Sequence, residues 1–115
     1  MSRKKIVIID DEEDLCQLMK TYFHELNHDV YLANTLTSGL NLIREVSPDV
    51  VFIDNNLPDG LGWEKMSFLL EEFPTCKINL ISAYKYLPPD LNLPNNGEVN
   101  ILEKPLRLGT LKDYI

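Results

Sequence analysis

The chain has 115 residues, 44% of them hydrophobic and 25% charged, which fits one globular domain and is too apolar for a disordered segment. Its formal net charge of -7 argues against nucleic-acid binding, since contacts to phosphates need Lys and Arg. No stretch is apolar for long enough to span a membrane, and the run Ile6 to Ile9 after the basic N-terminus is too short for a signal peptide.

Residues 5–10 are a β-branched run ending in Asp10 and read as a buried strand. Leu15, Leu18, Met19, Tyr22, Phe23 and Leu26 then recur at helical spacing, with Glu12, Glu13 and Asp14 in the first turn, where the helix dipole favours acids. Residues 29–33 form a second strand. Asn34 or Thr35 caps a second helix bearing Leu36, Leu40 and Ile43, and Ser47-Pro48 ends it. A third strand runs over 49–54 and ends in Asp54. Residues 55–60 are dense in turn formers. Trp63, Met66, Leu70 and Phe73 mark a third helix stopped by Pro74, with Trp63 read as a core residue. Residues 77–82 and 99–103 are a fourth and a fifth strand.

The crossover between the last two strands is irregular. Pro88, Pro89, Pro94 and the Asn95-Asn96-Gly97 turn break any helix there, since a proline inside a helix costs about 3 kcal/mol. A short or distorted helix around residues 87–93, or a loop, is expected. The segment from 106 to 115 reads as a last, short helix. Cys16 and Cys76 have neither metal nor redox spacing and read as a reduced pair. His24 and His28 read as surface or half-buried residues without a role in the chemistry.

Repeated strand–helix units imply a parallel sheet with helices on both faces. In such sheets ligands bind beyond the carboxyl ends of the strands. Those ends carry Asp10-Asp11, Asp54, Ser82 and Glu103-Lys104-Pro105, while the second strand, ending in Ala33-Asn34, offers nothing obvious. Three converging carboxylates need a cation between them, or one must take up a proton. Oxygen ligands without His or Cys favour Mg2+. With the Lys104 ammonium and the Ser82 hydroxyl, they make a cradle for a phosphoryl group, and Asp54 is the central candidate for a nucleophilic carboxylate.

The order of these motifs resembles the receiver domain of bacterial response regulators, the CheY-like superfamily of two-component signalling. The matching residues are Asp10-Asp11, Asp54 followed by Leu57-Pro58-Asp59-Gly60, Ser82-Ala83 and Lys104-Pro105. The resemblance covers nearly the whole chain, 1–115, and implies a flavodoxin-like, doubly wound five-stranded parallel sheet of order 2-1-3-4-5. It implies that Asp54 accepts the phosphoryl group, that Asp11 and Asp54 bind Mg2+ with Asp10 helping, and that the Asn56 backbone carbonyl completes the metal site. Ser82 and Lys104 would contact phosphoryl oxygens, and the Lys104-Pro105 bond would be cis.

The implied partners are a sensor histidine kinase or phosphotransfer protein, with a homodimer or a downstream output domain beyond that. The implied setting is the cytoplasm, with neither membrane nor direct nucleic-acid contact. The domain would catalyse only its own phosphorylation and dephosphorylation. Two features depart from the family. Ile101 stands three residues before Lys104, where an aromatic switch residue is usual, and the irregular crossover withholds the usual dimer mode. Tyr84 is placed to cover the site or to pack beside it. Two rival readings remain at this stage. One is a receiver-like module that binds partners independently of phosphorylation. The other is a Mg2+-dependent phosphatase working through an aspartyl phosphate, which usually needs an acid where Asn56 stands.

Overall fold

A computed structural model of the chain describes residues 3–83 and 99–115. Five strands, β1 (Lys5–Ile9), β2 (Asp29–Ala33), β3 (Val50–Asp54), β4 (Lys77–Ser82) and β5 (Val99–Glu103), form one parallel sheet. Their order is β2-β1-β3-β4-β5, as expected, with β2 at one edge and β5 at the other. Among the described residues, three helices lie between them: α1 (Glu13–Glu25), α2 (Leu36–Val46) and α3 (Met66–Glu72). A two-stranded ribbon of Asn56–Leu57 and Gly60–Leu61 follows β3. Tyr84 and the expected irregular segment at residues 87–93 lie outside the described residues.

The continuous apolar runs are explained by burial on both sheet faces. Val7, Ile9, Val51, Ile53, Ile78 and Leu80 pack with Leu36, Ile43, Met66, Leu69 and Leu70 of α2 and α3. The alternate residues Ile6, Ile8, Val50, Phe52 and Ile81 pack with Cys16, Met19 and Phe23 of α1 and with Leu111. Every residue of β3 is buried, whereas the edge strand β5 buries only Leu102.

Helix α1 buries Cys16, Met19 and Phe23 at helical spacing and leaves Leu18, one of the residues expected on its apolar face, 56% exposed. Thr35 caps α2 through a reciprocal pair with Ser38, and the helix stops at Ser47 in the left-handed region, φ 51°. Gly39 is needed where α2 crosses β1, because a Cβ there would sit 2.5 Å from Cδ1 of the fully buried Ile9.

Four expectations change. The third helix begins as a 3-10 turn over Gly62–Lys65, and Trp63 within it is half-buried rather than core. The last segment is a 3-10 helix, Leu108–Tyr114, held by the buried Leu111. A fully buried polar residue, Asn79, ties that segment to the sheet. Its amide donates to the carbonyls of Val51 (3.3 Å) and Tyr114 (3.2 Å), and its oxygen accepts from Asn100 at 3.0 Å. His28 is buried, its Nδ1 accepting the Lys4 N–H at 3.1 Å. Burial there lowers its pKa, ahead of the charge of Lys4. Both cysteines are free and buried, in keeping with the reduced pair expected, and burial pushes their thiols up to about 11 for Cys16 and about 12 for Cys76.

Candidate phosphoryl and cation site

Register brings the acids together. Ile8 pairs with Phe52 and Ile9 with Ile53, so Asp10 and Asp54 are the next neighbours along β1 and β3. Both continue the set of residues that faces α1. Asp10 is fully buried and Asp54 nearly so, at 3% exposure, while Asp11 is exposed at the rim. One carboxylate oxygen from each of Asp10, Asp11 and Asp54 lies within 4.8 Å of the others.

The Asp10 carboxylate is half satisfied. Its Oδ1 accepts the Glu12 N–H at 2.9 Å, and its buried Oδ2 has no hydrogen-bond partner among the described residues. Burial pushes the Asp10 carboxyl up to about 6; the Glu12 N–H opposes this and the charge of Asp54 adds to it. Burial likewise raises the Asp54 pKa, against the pull of Lys104 and the Asn56 backbone N–H. Lys104 Nζ sits 3.5 Å from Asp54 Oδ1 and 3.5 Å from Glu12 Oε1. Burial disfavours its charge, but Asp54, Asp10 and Glu12 together outweigh that and raise its pKa.

A divalent cation fits this donor set. The ligands are hard oxygens, and among the described residues one buried carboxylate oxygen lacks a partner and a single ammonium faces three carboxylates.

Ser82 ends β4 and is buried, and its carbonyl accepts the Lys104 N–H at 2.9 Å. The sites from β3, β4 and β5 therefore meet as expected. Asp54, Asn55, Asn56, Leu61, Trp63, Ser82, Ala83 and Lys104 line one cleft of about 160 Å3. The Lys104-Pro105 bond is cis. Ile101 is half-buried on β5 and lines a separate groove with Leu111 and Tyr114.

Five contributors were not anticipated. Asn55 is buried and organises the turn after Asp54: its N–H donates to Ile81, its carbonyl accepts from Gly62, and its Oδ1 accepts the Trp63 N–H at 3.0 Å. Gly62 permits that closure, since a Cβ would lie 2.9 Å from the Asp54 carbonyl oxygen. The supposedly inert end of β2 supplies Asn34, whose amide reaches the Asp10 carbonyl at 3.5 Å. Trp63 borders the cleft because the 3-10 turn starts immediately after the Asn55–Gly62 closure. Asp59, in the same turn, accepts the N–H groups of Leu36 (2.7 Å) and Thr37 (2.9 Å), and these bonds hold its carboxyl below the usual range. The turn formers at 55–60 announce a turn, but not which helix it will reach.

Comparison with known proteins places this geometry. Residues 6–115 match the model of the response regulator receiver domain. Response regulator protein PilR of Pseudomonas aeruginosa is 28% identical over 115 residues, covering all of this chain and 26% of PilR. The chain thus spans about a quarter of that relative's length. A two-component response regulator from Clostridium difficile superposes with a TM-score of 0.83 at 30% identity, covering 96% of this chain and 91% of that one. A CheY-like receiver domain from Methanospirillum hungatei superposes with a TM-score of 0.86 at 25% identity, covering 97% and 90%.

Proposed function

The chain belongs to the response regulator receiver domain family, and from that premise we propose that Asp54 is its phosphoacceptor, served by Mg2+ and by Ser82 and Lys104. The family is a signalling domain of two-component systems and not an enzyme acting on an outside substrate. The observation that carries the residue assignment is the convergence of Asp10, Asp11, Asp54 and Lys104 at one edge of the sheet, around a buried carboxylate oxygen with no partner among the described residues.

Asp10, Asp11 and Asp54, with the Asn56 carbonyl, would hold Mg2+. When bound, that ion supplies positive charge against the transferring phosphoryl group. An Asp54 carboxylate oxygen attacks the phosphorus of a phosphohistidine on a sensor kinase or phosphotransfer protein. The P–N bond breaks and an acyl phosphate forms. Lys104 already lies against Asp54 and stabilises the charge that builds on the phosphoryl oxygens. The Ser82 hydroxyl donates to one of those oxygens. The acyl phosphate carries a charge of about -1.5 to -2 in place of the carboxylate's single negative charge, which draws Lys104 away from Glu12 and biases an existing equilibrium between two conformers. Attack of water on the acyl phosphate then releases inorganic phosphate and restores the Asp54 carboxylate. The cytoplasm is the setting that accords with such partners. In the whole protein, an output domain or a second receiver would read the change.

The test is intact mass after incubation with Mg2+ and a small acyl-phosphate donor. One added phosphoryl group is expected, absent in Asp54→Ala and absent with a chelator. No gain in the wild type, even with kinases supplied, would overturn the reading.

A further inference from the structure

We propose that Asp59 is a positioning residue for this site: by bridging the turn after β3 to the first N–H groups of α2, it holds the Asn56 carbonyl toward the cation. This rests on the phosphoacceptor reading above and deepens it.

Asp59 is exposed, yet both its oxygens are committed, to Leu36 N–H at 2.7 Å and Thr37 N–H at 2.9 Å. Such charge-assisted bonds at a helix start are favoured by the dipole as well. The helix's own cap, Thr35, takes only the Ser38 N–H, at 3.1 Å, so the first two N–H groups of α2 depend on an acceptor from elsewhere in the fold. Asp59 reaches α2 from more than 20 residues away in sequence, so its bonds fix tertiary position.

What they fix is the far end of a short turn. Its near end is locked by Asn55 and Gly62, and between the two anchors lies Asn56, paired with Leu61 in the ribbon. Gly60 backs onto the same helix start: a Cβ there would meet Leu36 Cδ2 at 2.8 Å. The other side of α2 leads back to the acids, since Asn34 binds the Asp10 carbonyl and Gly39 lies on Ile9. The chain of contacts is a closed ring, Asp10–Asn34–α2–Asp59–turn–Asp54. Opening it at Asp59 frees the turn without touching any carboxylate of the cluster.

The experiment compares the full chain with Asp59→Ala, Asp59→Asn and Thr35→Ala. Mg2+ affinity is measured by calorimetry and by emission of Trp63, the single tryptophan. Thermal melts and phosphoryl uptake by intact mass accompany it. Asp59→Ala is expected to weaken Mg2+ by about tenfold, the low end of what supporting residues contribute to metal affinity. Asp59→Asn keeps one acceptor oxygen and should fall between it and the wild type, which also covers the case of an Asp59→Ala protein that does not fold. Thr35→Ala should lower the melting temperature while leaving Mg2+ affinity within about twofold, because it removes a cap and leaves the turn anchored. Unchanged affinity in both Asp59 variants, or an equal loss in Thr35→Ala, would overturn the proposal. A wild type that takes up neither Mg2+ nor phosphoryl would instead bring down the reading on which it rests.

Discussion

The two halves of the site are built differently. The acidic half stands on β1 and β3, central strands whose last residues are buried. Its turn is pinned by Asn55, Gly62 and Asp59 through bonds of 2.7–3.0 Å. The basic half stands on the edge strand β5. There Lys104 is shared between Asp54 and Glu12 at 3.5 Å each, longer than a strong charge-assisted bond. A cation needs ligands that stay in place, whereas a switch needs a group that can change partners. On the proposed reading, the first task falls to buried strands and the second to an edge strand.

The largest expected effect separates the halves. Lys104→Ala should slow phosphoryl uptake by about a hundredfold, the scale for losing one stabilising donor, while leaving Mg2+ affinity no weaker than in the wild type. Paired uptake and calorimetry measurements check this, and an equal loss of both would show that Lys104 belongs to the fixed half.

Gly62→Ala attacks the other side. Its Cβ meets the Asp54 carbonyl, so overpacking should cost about 1–3 kcal/mol of stability by urea unfolding, with Mg2+ affinity falling alongside.

Asp10 gives a pH signature. Its folded pKa, about 6, lies above its ordinary value of 3.8. The folded state therefore favours the protonated form. The associated stability is present in full below about pH 4 and is lost as pH rises through about 6. Chelator-treated protein should gain on the order of 1–2 kcal/mol as pH falls from 7 toward 5, less than the full shift implies because solvent reaches the cluster's rim. Mg2+ or Asp10→Asn should flatten that slope in denaturant titrations. An Asp10→Asn protein with the slope intact would place the titrating group elsewhere.

The smallest effect sits at the most exposed contact. Glu12→Gln should change stability by at most about 1 kcal/mol, as for other surface pairs. By releasing Lys104 toward Asp54, it should measurably raise the uptake rate at low salt.

Much of this was legible in the sequence because it depends on local pattern. Unbroken apolar runs gave the buried strands, and reading their last residues gave Asp10, Asp54, Ser82 and Lys104 as one cluster. The missed parts depend on long-range pairing. Nothing in Leu57-Pro58-Asp59-Gly60 says that Asp59 will reach Leu36 and Thr37. Nor does Ala33-Asn34 reveal a link to the Asp10 carbonyl. Trp63 looked like core because size and spacing favoured it, but the closure between Asn55 and Gly62 turns that segment toward the cleft. Asn79 interrupts an apolar run, and its reason, the carbonyl of Tyr114, lies 35 residues on. Ile101 sits on the strand that ends in Lys104, in a groove closed by Leu111 and Tyr114 rather than in the Asp54 cleft.

The most direct test of the central claim is to trap the acyl phosphate chemically. After loading with Mg2+ and a phosphodonor, borohydride reduction converts a phosphorylated aspartate to homoserine, and peptide sequencing by mass locates it. Homoserine at position 54 alone is the predicted result. Conversion at Asp10 or Asp11, or at no aspartate in protein that has gained a phosphoryl group, would contradict the assignment.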